Sequence, residues 1–355
     1  MRPGGRDRIA YLVDPGFPGG TSAAVAAELA SAAGVGEVEV HCVPTGLYGD
    51  GTPAPDIADA LADLGLKART GAATVAADLV IVHNPTFLRA PALRLPRIVA
   101  RRLVAVTHEN FYQPEDRPAF DAALALDRLD AAAVALDKVL APVSPWNRRT
   151  VETWLGRDGR TRPWRIDDAD WPNVFAGARA VPTDRPRDRR GRLSRPGLEK
   201  FPAPGVLDLC FPPEAERNLI LGADALIAAG AGRTRPHWDL VPFRGLTREA
   251  FFDAIDVFVY FTAPTFRESY GRVLAEATAA GKLVVTDPET ARPFGPGVIG
   301  TTPERASAEI AAVLAEPGAF ARRVAAAQAA IAALTPAGFE ARISRALDLP
   351  AEAAA

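Results

Sequence analysis

The stretch from Asp256 to Thr286 constrains the fold of this chain more than any other. It starts with the apolar run DVFVYF at 256–261 and ends with KLVVT at 282–286, and a helix-length segment closed by Gly281 lies between them. This pattern predicts a strand, a loop, a helix and a second strand. Apolar strands alternate with Ala-rich helices along much of the chain, which predicts an α/β protein with parallel sheets.

Two carboxylates bracket the helix of this unit. Glu268 lies in the loop just before it, and Glu276 is predicted about two turns inside it. Eight helical residues rise about 12 Å, which is about the distance from a hexose to a ribose across a diphosphate. The backbone amides of Ser269, Tyr270 and Gly271 are expected to point out of the helix N-terminus, where unpaired donors and the positive end of the helix dipole favour a phosphate.

The sequence ESYGRVLAEATAAGKLVV at 268–285 carries more than a pair of glutamates. Its aromatic-Gly pair, Glu-Ala pair, Ala-Ala-Gly helix end and apolar strand follow in order. It resembles the E-x7-E motif of retaining nucleotide-sugar glycosyltransferases of the GT-B fold, as in glycosyltransferase family 4. The resemblance implies two Rossmann-like, doubly wound domains that face each other across a cleft. The alternative is an ordinary amphipathic helix with solvated glutamates.

The resemblance also implies roles for these residues. Glu268 would hydrogen-bond hydroxyls of the donor sugar, and Glu276 would bind the ribose. The amides of Ser269, Tyr270 and Gly271 would hold the diphosphate. Retention of the anomeric configuration is implied by the family alone, and in that reading the leaving phosphate oxygen itself takes the proton of the acceptor.

Six arginines lie in the sequence RPRDRRGRLSR at 185–195. Most of them are expected to be solvated in a linker, where like charges repel each other. Arg192 in the tripeptide GRL, followed by Lys200, resembles the Arg and Lys pair with which the family grips the donor diphosphate. Such cations stabilise the charge that the departing nucleotide diphosphate gains. The two residues are further apart than in the commonest pattern, so Arg195 is kept as an alternative ligand.

The length of 355 residues exceeds what one hydrophobic core usually serves, so two domains are predicted. Residues 156–204 are crowded with Arg, Asp, Pro and Gly and show almost no apolar periodicity, which predicts a linker region. We place an N-terminal acceptor-side domain at 1–170 and a nucleotide-sugar-binding domain at 171–335. A terminal helix at 336–355 is expected to return to the first domain, as it does in GT-B enzymes.

The first predicted strand is followed by a Gly/Pro loop and a helix at 23–33, with Thr21 or Ser22 as its cap. A Gly-rich turn of this kind, between a strand and the start of a helix, is suited to bind a phosphate. Gly19 and Gly20 match a Gly-Gly loop that lines the cleft between the domains in the family. The alternative is a flexible turn that only reverses the chain.

Two histidines stand at the ends of predicted strands, His83 at the end of 78–83 and His108 directly after 102–107. Ligands of open α/β sheets collect beyond the carboxyl ends of the strands. The sequence VAVTH, which ends at His108, resembles the family's strand whose histidine approaches the transferred sugar. A single histidine is more often structural, so His108 is the preferred catalytic candidate and His83 the weaker one.

The second predicted domain contains further strands and helices. The apolar runs at 206–210, 218–221 and 238–241 predict strands, and the segments 223–229 and 247–255 predict helices. In the family, the stretch before the last of these helices contacts the nucleotide base, but here it is too generic to identify a base.

Composition narrows the classes of partner. A formal net charge of -2 provides no global attraction to nucleic acid or acidic membranes, and the Arg-rich segment lacks interleaved aromatics that stack on bases. Cys42 and Cys210 are far apart and are predicted to be buried free thiols, which fits a reducing cytoplasm. No apolar segment reaches membrane-spanning length. We therefore expect a soluble, cytoplasmic protein without nucleic acid, and leave peripheral contact with the inner face of a membrane open.

These patterns predict a glycosyltransferase that moves a hexose from a nucleotide-diphosphate sugar to an unknown sugar, lipid or other acceptor, in polysaccharide, glycolipid or glycoconjugate synthesis. No cofactor or metal is expected, because cationic side chains and helix amides stabilise the leaving diphosphate. Asp168 and Asp170 form a D-x-D sequence, but it lacks the apolar strand that precedes such a metal motif.

Two other functions stay open at this point. A nucleotide-sugar epimerase or hydrolase of the same fold would need additional acid or base groups near the sugar, for which Asp14 and Glu109 are the only loose candidates. A non-catalytic sugar-nucleotide-binding protein is kept open by the unusual spacing of Arg192 and Lys200.

Overall fold

The computed structural model describes residues 6–17, 19–159, 162–171, 173–175 and 179–348. The chain divides into two compact units, Met1–Ala176 together with Leu334–Ala355, and Gly177–Ala333. No helix among the described residues is both long and apolar enough to span a membrane.

The first unit is built on one parallel sheet of seven strands. The strands are β1 (Arg8–Val13), β2 (Glu37–Cys42), β3 (Ala68–Thr70), β4 (Thr74–His83), β5 (Arg97–Thr107), β8 (Ala133–Pro142) and β9 (Trp164–Ile166), and β6 (Tyr112–Gln113) and β7 (Arg117–Pro118) form a separate antiparallel pair. The helices are α1 (Gly20–Val35), α2 (Pro55–Asp63), α3 (Ala122–Ala132), α4 (Pro145–Asp158) and, from the end of the chain, α13 (Pro336–Leu347), and short 3-10 turns cover Pro85–Arg89 and Pro114–Asp116.

The strand order in this sheet is β3-β2-β1-β4-β5-β8-β9. The direction of winding therefore reverses between β1 and β4, which is the place where doubly wound sheets open a crevice for ligands. The central strands are apolar on both faces, as expected for a parallel sheet with helices on either side. The core includes Leu12, Val80, Val82 and Leu103, which have no exposed surface.

Helix α13 packs on α1 of the first unit. Phe339 meets the ring of Trp171 edge-on, with 5.4 Å between ring centroids. At the other end of α13, the Arg102 guanidinium donates to the carbonyl oxygens of Arg345 and Ala346, at 3.1 and 2.8 Å. A cation that bonds the last carbonyls of a helix satisfies acceptors that the helix itself leaves open.

The second unit has a parallel sheet of six strands in the order β12-β11-β10-β13-β14-β15. The strands are β10 (Arg189–Leu193), β11 (Arg217–Leu221), β12 (Asp239–Val241), β13 (Val257–Tyr260), β14 (Leu283–Thr286) and β15 (Ile299–Gly300). The helices are α5 (Pro204–Cys210), α6 (Asp224–Ala228), α7 (Ala231–Thr234), α8 (Arg248–Asp253), α9 (Arg272–Ala279), α10 (Pro288–Ala291), α11 (Pro303–Ala315) and α12 (Ala319–Ala330), and 3-10 turns cover Leu198–Lys200, Arg292–Phe294 and Ile331–Leu334. This is again the Rossmann order, with its reversal between β10 and β13.

The segment predicted as a solvated linker holds a central strand of this second sheet. β10 pairs with β11 on one side and β13 on the other, so its sequence RRGRL runs through the interior. Arg189 is neutralised by Asp256 at 2.8 Å, and Arg190 by Asp188 at 2.7 Å. The linker prediction was wrong here because paired arginines hide a buried strand from a search for apolar periodicity.

Two local predictions were also wrong. The run at 206–210 is not a strand but the end of helix α5, in which Leu207 and Cys210 are buried. Its length of five residues cannot separate a strand from a buried helix by periodicity. Helix α1 begins at Gly20 with Gly19 as its N-cap in a positive-φ conformation, so Thr21 and Ser22 lie inside the first turn and do not cap it. The hydroxyl of Ser22 instead donates to the Gly19 carbonyl at 2.9 Å.

Candidate active site

The candidate donor site lies where the winding of the second sheet reverses. The carboxyl end of β13 leads into a loop that carries Glu268, and helix α9 begins directly after Gly271. Gly271 adopts φ +80 at the N-cap position, and a Cβ there would lie 3.0 Å from Leu274. Only glycine takes this conformation without strain. Because glycine has no side chain, the helix N-terminus is not capped by its own N-cap residue.

A compact polar cluster surrounds Glu268. The ammonium group of Lys200 lies 2.5 Å from Glu268 Oε1, and the hydroxyl of Tyr260 donates to the same oxygen at 2.5 Å. The side chain of Glu268 is 15% exposed and that of Lys200 is 9% exposed. The site therefore holds a carboxylate and an ammonium group that are tightly paired but still reach the surface.

The neighbours of Glu268 keep its carboxylate ionised. Burial acts to raise the pKa of Glu268, but the Lys200 ammonium, the Tyr260 hydroxyl and the Arg195 charge outweigh it and hold this pKa below its ordinary value. Burial and the Glu268 charge raise the pKa of Tyr260 well above its ordinary value. Tyr260 is therefore a neutral donor and Glu268 an anion.

The structure separates the three candidate cations for the diphosphate. Arg192 has no exposed surface, and its guanidinium is enclosed between the rings of Phe201 and Tyr260, 4.6 and 4.5 Å from their centroids. It donates to the carbonyl oxygens of Phe261 and Lys200. A guanidinium in this position holds the Lys200 segment against β13.

Arg195 is the exposed cation of this group. Its side chain is 55% exposed, and its nearest carboxylate, on Glu199, is 3.9 Å away. Its charge reaches Glu268 strongly enough to lower the pKa of that residue. Arg195 is therefore accessible to a ligand, whereas Arg192 is enclosed and Lys200 is paired with Glu268.

Glu276 lies one turn inside α9, not two, because the helix begins only at Arg272. Its Oε1 accepts from Arg248 at 3.0 Å and from Arg272 at 3.2 Å, and its side chain is 11% exposed. Two guanidinium groups thus hold the carboxylate in one orientation. Ser269 is partly exposed, whereas Tyr270 is buried with its ring against Phe294.

The first unit brings together a second set of predicted residues at the reversal between β1 and β4. Gly19 and Gly20 are exposed, and a Cβ at either position would meet no atom within 4 Å. Gly19 needs to be glycine for its φ of +78. The Asn84 amide, directly after β4, lies 3.4 Å from the Thr21 hydroxyl. The Gly-Gly loop is therefore close to the end of β4.

The two predicted histidines are in contact. Nδ1 of His83 and Nε2 of His108 are 2.9 Å apart, and the other nitrogen of His83 lies 3.0 Å from a carboxylate oxygen of Glu28. His83 is buried, whereas His108 is partly exposed. Sequence reasoning missed Glu28 altogether, because a charged residue in the middle of an Ala-rich helix reads as solvent-facing.

No three metal-ligating side chains come together among the described residues. Asp170 of the D-x-D sequence pairs with Arg148 at 2.7 Å. Cys42 and Cys210 are buried free thiols, as predicted.

No protein-family model matches this chain, and no curated protein matches its sequence. Solved structures do match its fold. HepE from Anabaena, in complex with UDP and glucose, has a TM-score of 0.67 and 16% identity over 96% of this chain and 99% of its own. The fold is GT-B.

Two other GT-B structures agree with this assignment. The trehalose-6-phosphate synthase OtsA has a TM-score of 0.61 and 14% identity over 97% of this chain and 100% of its own. The α,α-trehalose 6-phosphate synthase from Burkholderia multivorans has a TM-score of 0.58 and 13% identity over 96% of both chains. The predicted fold class, α/β with two Rossmann-like domains, is confirmed.

Proposed function

We propose that this protein is a glycosyltransferase that moves a hexose from a nucleotide-diphosphate sugar to an acceptor. The observation that carries the proposal is the Lys200–Glu268–Tyr260 cluster at the reversal of the second sheet, next to the N-terminus of α9. A sugar diphosphate is bound by a carboxylate that accepts hydrogen bonds from hydroxyl groups, by cations and by a helix end without a side-chain cap. The complex of HepE with UDP-glucose supports the same class of donor.

The roles in this proposal follow the geometry of the second unit. Glu268 uses Oε2 to accept hydrogen bonds from sugar hydroxyls, since its Oε1 already binds Lys200 and Tyr260. Lys200 and Arg195 neutralise the diphosphate together with backbone amides at the start of α9. Glu276 accepts a hydrogen bond from the ribose.

The remaining parts of the proposal rest on the resemblance to retaining glycosyltransferases of family 4. They are transfer with retention, a leaving phosphate oxygen that takes the acceptor proton, and contact of His108 with the transferred sugar. Gly19 and Gly20 belong to the loop that the family uses near its ligands. A cytoplasmic location, with or without peripheral membrane contact, stays a prediction, as does the identity of the acceptor.

We expect UDP and UDP-glucose to raise the melting temperature of the protein in a thermal-shift panel of nucleoside diphosphates and nucleotide sugars. A ligand at 100 times its dissociation constant stabilises the folded state by about 2.7 kcal/mol. The Glu276→Ala variant should lose most of this shift, because the ribose loses its acceptor. The Glu309→Ala variant is the matched control, since Glu309 forms the same kind of helical pair with Arg305, at 2.9 Å, on α11.

A panel without any shift would contradict the nucleotide-sugar proposal as a whole. An equal shift in wild type and Glu276→Ala would remove only the ribose assignment. Binding of an oligonucleotide with strong salt dependence would instead indicate a nucleic-acid-binding protein, because counterion release makes such binding salt-sensitive.

We also expect a chelator to leave the rate of nucleotide release unchanged. In the proposed mechanism Lys200, Arg195 and helix amides stabilise the diphosphate charge. The rate of nucleotide release is measured with excess EDTA and compared with the rate after Mg²⁺ is added. Loss of activity with EDTA and its recovery with Mg²⁺ would show that a metal ion is required.

A further inference from the structure

A chain of buried polar groups stands behind His108 in the first unit. Glu28 on α1 accepts at Oε1 from the indole N–H of Trp171, at 3.2 Å, and its Oε2 lies 3.0 Å from Nε2 of His83. Nδ1 of His83 is 2.9 Å from Nε2 of His108. The side chains of Glu28 and His83 have no exposed surface. Only His108 at the end of the chain is partly exposed.

A fully buried carboxyl group either takes up a proton or pairs with a positive charge. Without one, burial of an ion costs several kcal/mol. Arg342 on α13 lies 4.6 Å from the centroid of the Trp171 ring, and its ion pair is with Asp167, at 2.8 Å, so it acts on Glu28 without direct contact. His83 is therefore the group in direct contact that can neutralise Glu28.

The direction of each hydrogen bond in the chain follows from this pairing. If His83 is an imidazolium, both of its nitrogens carry a proton. The proton on Nε2 of His83 then lies beside Glu28, and the N–H at Nδ1 donates a hydrogen bond to His108. His108 must then accept with Nε2, so its own proton sits on Nδ1.

We infer that Glu28 and His83 are positioning residues, which together hold His108 neutral and make it donate a hydrogen bond through Nδ1. The partner of that bond is an oxygen lone pair of the bound sugar, and this last step alone rests on the proposed function. A neutral donor with a cation behind it is a poor proton acceptor. His108 therefore orients the sugar and does not act as the general base.

The surrounding charges agree with this arrangement. Burial and the neighbouring His83 hold the pKa of His108 well below its ordinary value. Tyr11 of β1 stacks on His83, with 5.7 Å between ring centroids, and burial and the Glu28 charge raise the pKa of Tyr11 well above its ordinary value. Tyr11 is thus neutral. Among the described residues, the charged or titratable groups with a recorded contact to His83 are Glu28, His108 and Tyr11, and Arg342 acts on Glu28 from behind Trp171.

The test is to observe the ring nitrogens of the full-length protein by ¹⁵N–¹H correlation NMR, which distinguishes both tautomers and the imidazolium. The chain has four histidines. His41→Gln, His237→Gln and His108→Gln assign three sets of signals and leave the fourth to His83. The assignment of the signals therefore needs no variant of Glu28 or His83, and neither a donor nor an acceptor has to be known.

We expect His83 to be doubly protonated at neutral pH and His108 to be neutral with its proton on Nδ1. In the Glu28→Gln variant, His83 should become neutral, because it loses its counter-ion. His41 is the matched control, since it pairs with Glu39 at 3.1 Å in β2, away from any second histidine. Its signals should change in Glu39→Gln and not in Glu28→Gln.

A neutral His83 in the wild type, with a single proton on Nε2 and with His108 protonated on Nε2, would overturn the inference. The wild-type spectrum decides this even if Glu28→Gln does not fold. A positive NMR result combined with no nucleotide-sugar binding would leave the protonation pattern intact and refute only the proposed function.

Discussion

The Glu268→Gln variant is expected to release nucleotide from its donor sugar about 10² to 10³ times more slowly than the wild type. Removal of one preorganised electrostatic group at a reacting centre costs about this much. Glutamine keeps the shape of the side chain but removes the negative charge that faces the sugar. The measurement is steady-state nucleotide release at saturating donor, with kcat separated from KM.

This variant also disturbs the fold locally, and the two effects must be separated. Lys200 is 9% exposed and loses its partner in Glu268→Gln. Loss of one member of a buried pair can cost about 3–5 kcal/mol, so the melting temperature and the far-UV spectrum are measured beside the rate. Glu199→Gln is the control, because Glu199 is an exposed carboxylate 3.9 Å from Arg195. Full activity of a folded Glu268→Gln protein would remove the catalytic assignment.

Replacement of Trp171 with alanine is expected to destabilise the first unit by about 3–5 kcal/mol, the usual cost of deleting a large aromatic from a core. Trp171 has no exposed surface. Its ring packs on Phe339 of α13 and under the guanidinium of Arg342, and its N–H donates to Glu28. The substitution therefore creates a cavity and removes a donor from a buried carboxylate.

The free energy of unfolding is measured by urea titration with far-UV detection. A two-unit protein can show more than one transition, and only the one that belongs to the first unit should move. Trp171→Phe keeps the ring contact with Phe339 and should cost less. Trp146→Ala, in a partly exposed tryptophan of α4 with Arg149 4.8 Å from its ring, should cost about 1 kcal/mol or less. Equal losses of unfolding free energy in Trp171→Ala and Trp146→Ala would contradict the packing role of Trp171.

Most elements of the second sheet could be predicted from local pattern. The strands β13 and β14 and the helix α9 between them follow from two apolar runs and a terminal glycine. β10 could not, because three of its five residues are arginines. Two of these arginines pair with the carboxylates of Asp188 and Asp256, and Arg192 donates to backbone carbonyls. These partners are visible only in the folded chain.

In the candidate site, too, some residues could be predicted from the sequence and others were recognised only in the structure. Glu268 and Lys200 were both predicted, and the structure brings them together although 68 residues separate them. The enclosed position of Arg192 was not foreseen, because the tripeptide GRL carries no information on which aromatic rings surround it. Tyr260 was read only as part of a strand, and its hydroxyl became relevant once the loop after β13 folded back on it.

The amino-acid sequence by itself determined the α/β class with two Rossmann-like domains. It also placed Glu268 and Gly271 before one helix and Glu276 inside it, although not at the right depth, because periodicity and backbone preferences act over a few neighbouring residues. Only the tertiary structure decided which charges are buried and with whom they pair. The contact of Glu28 with His83 joins residues 55 positions apart, and no local pattern encodes it. Burial turns such a contact into a strong electrostatic constraint, and burial is a property of the packed chain alone.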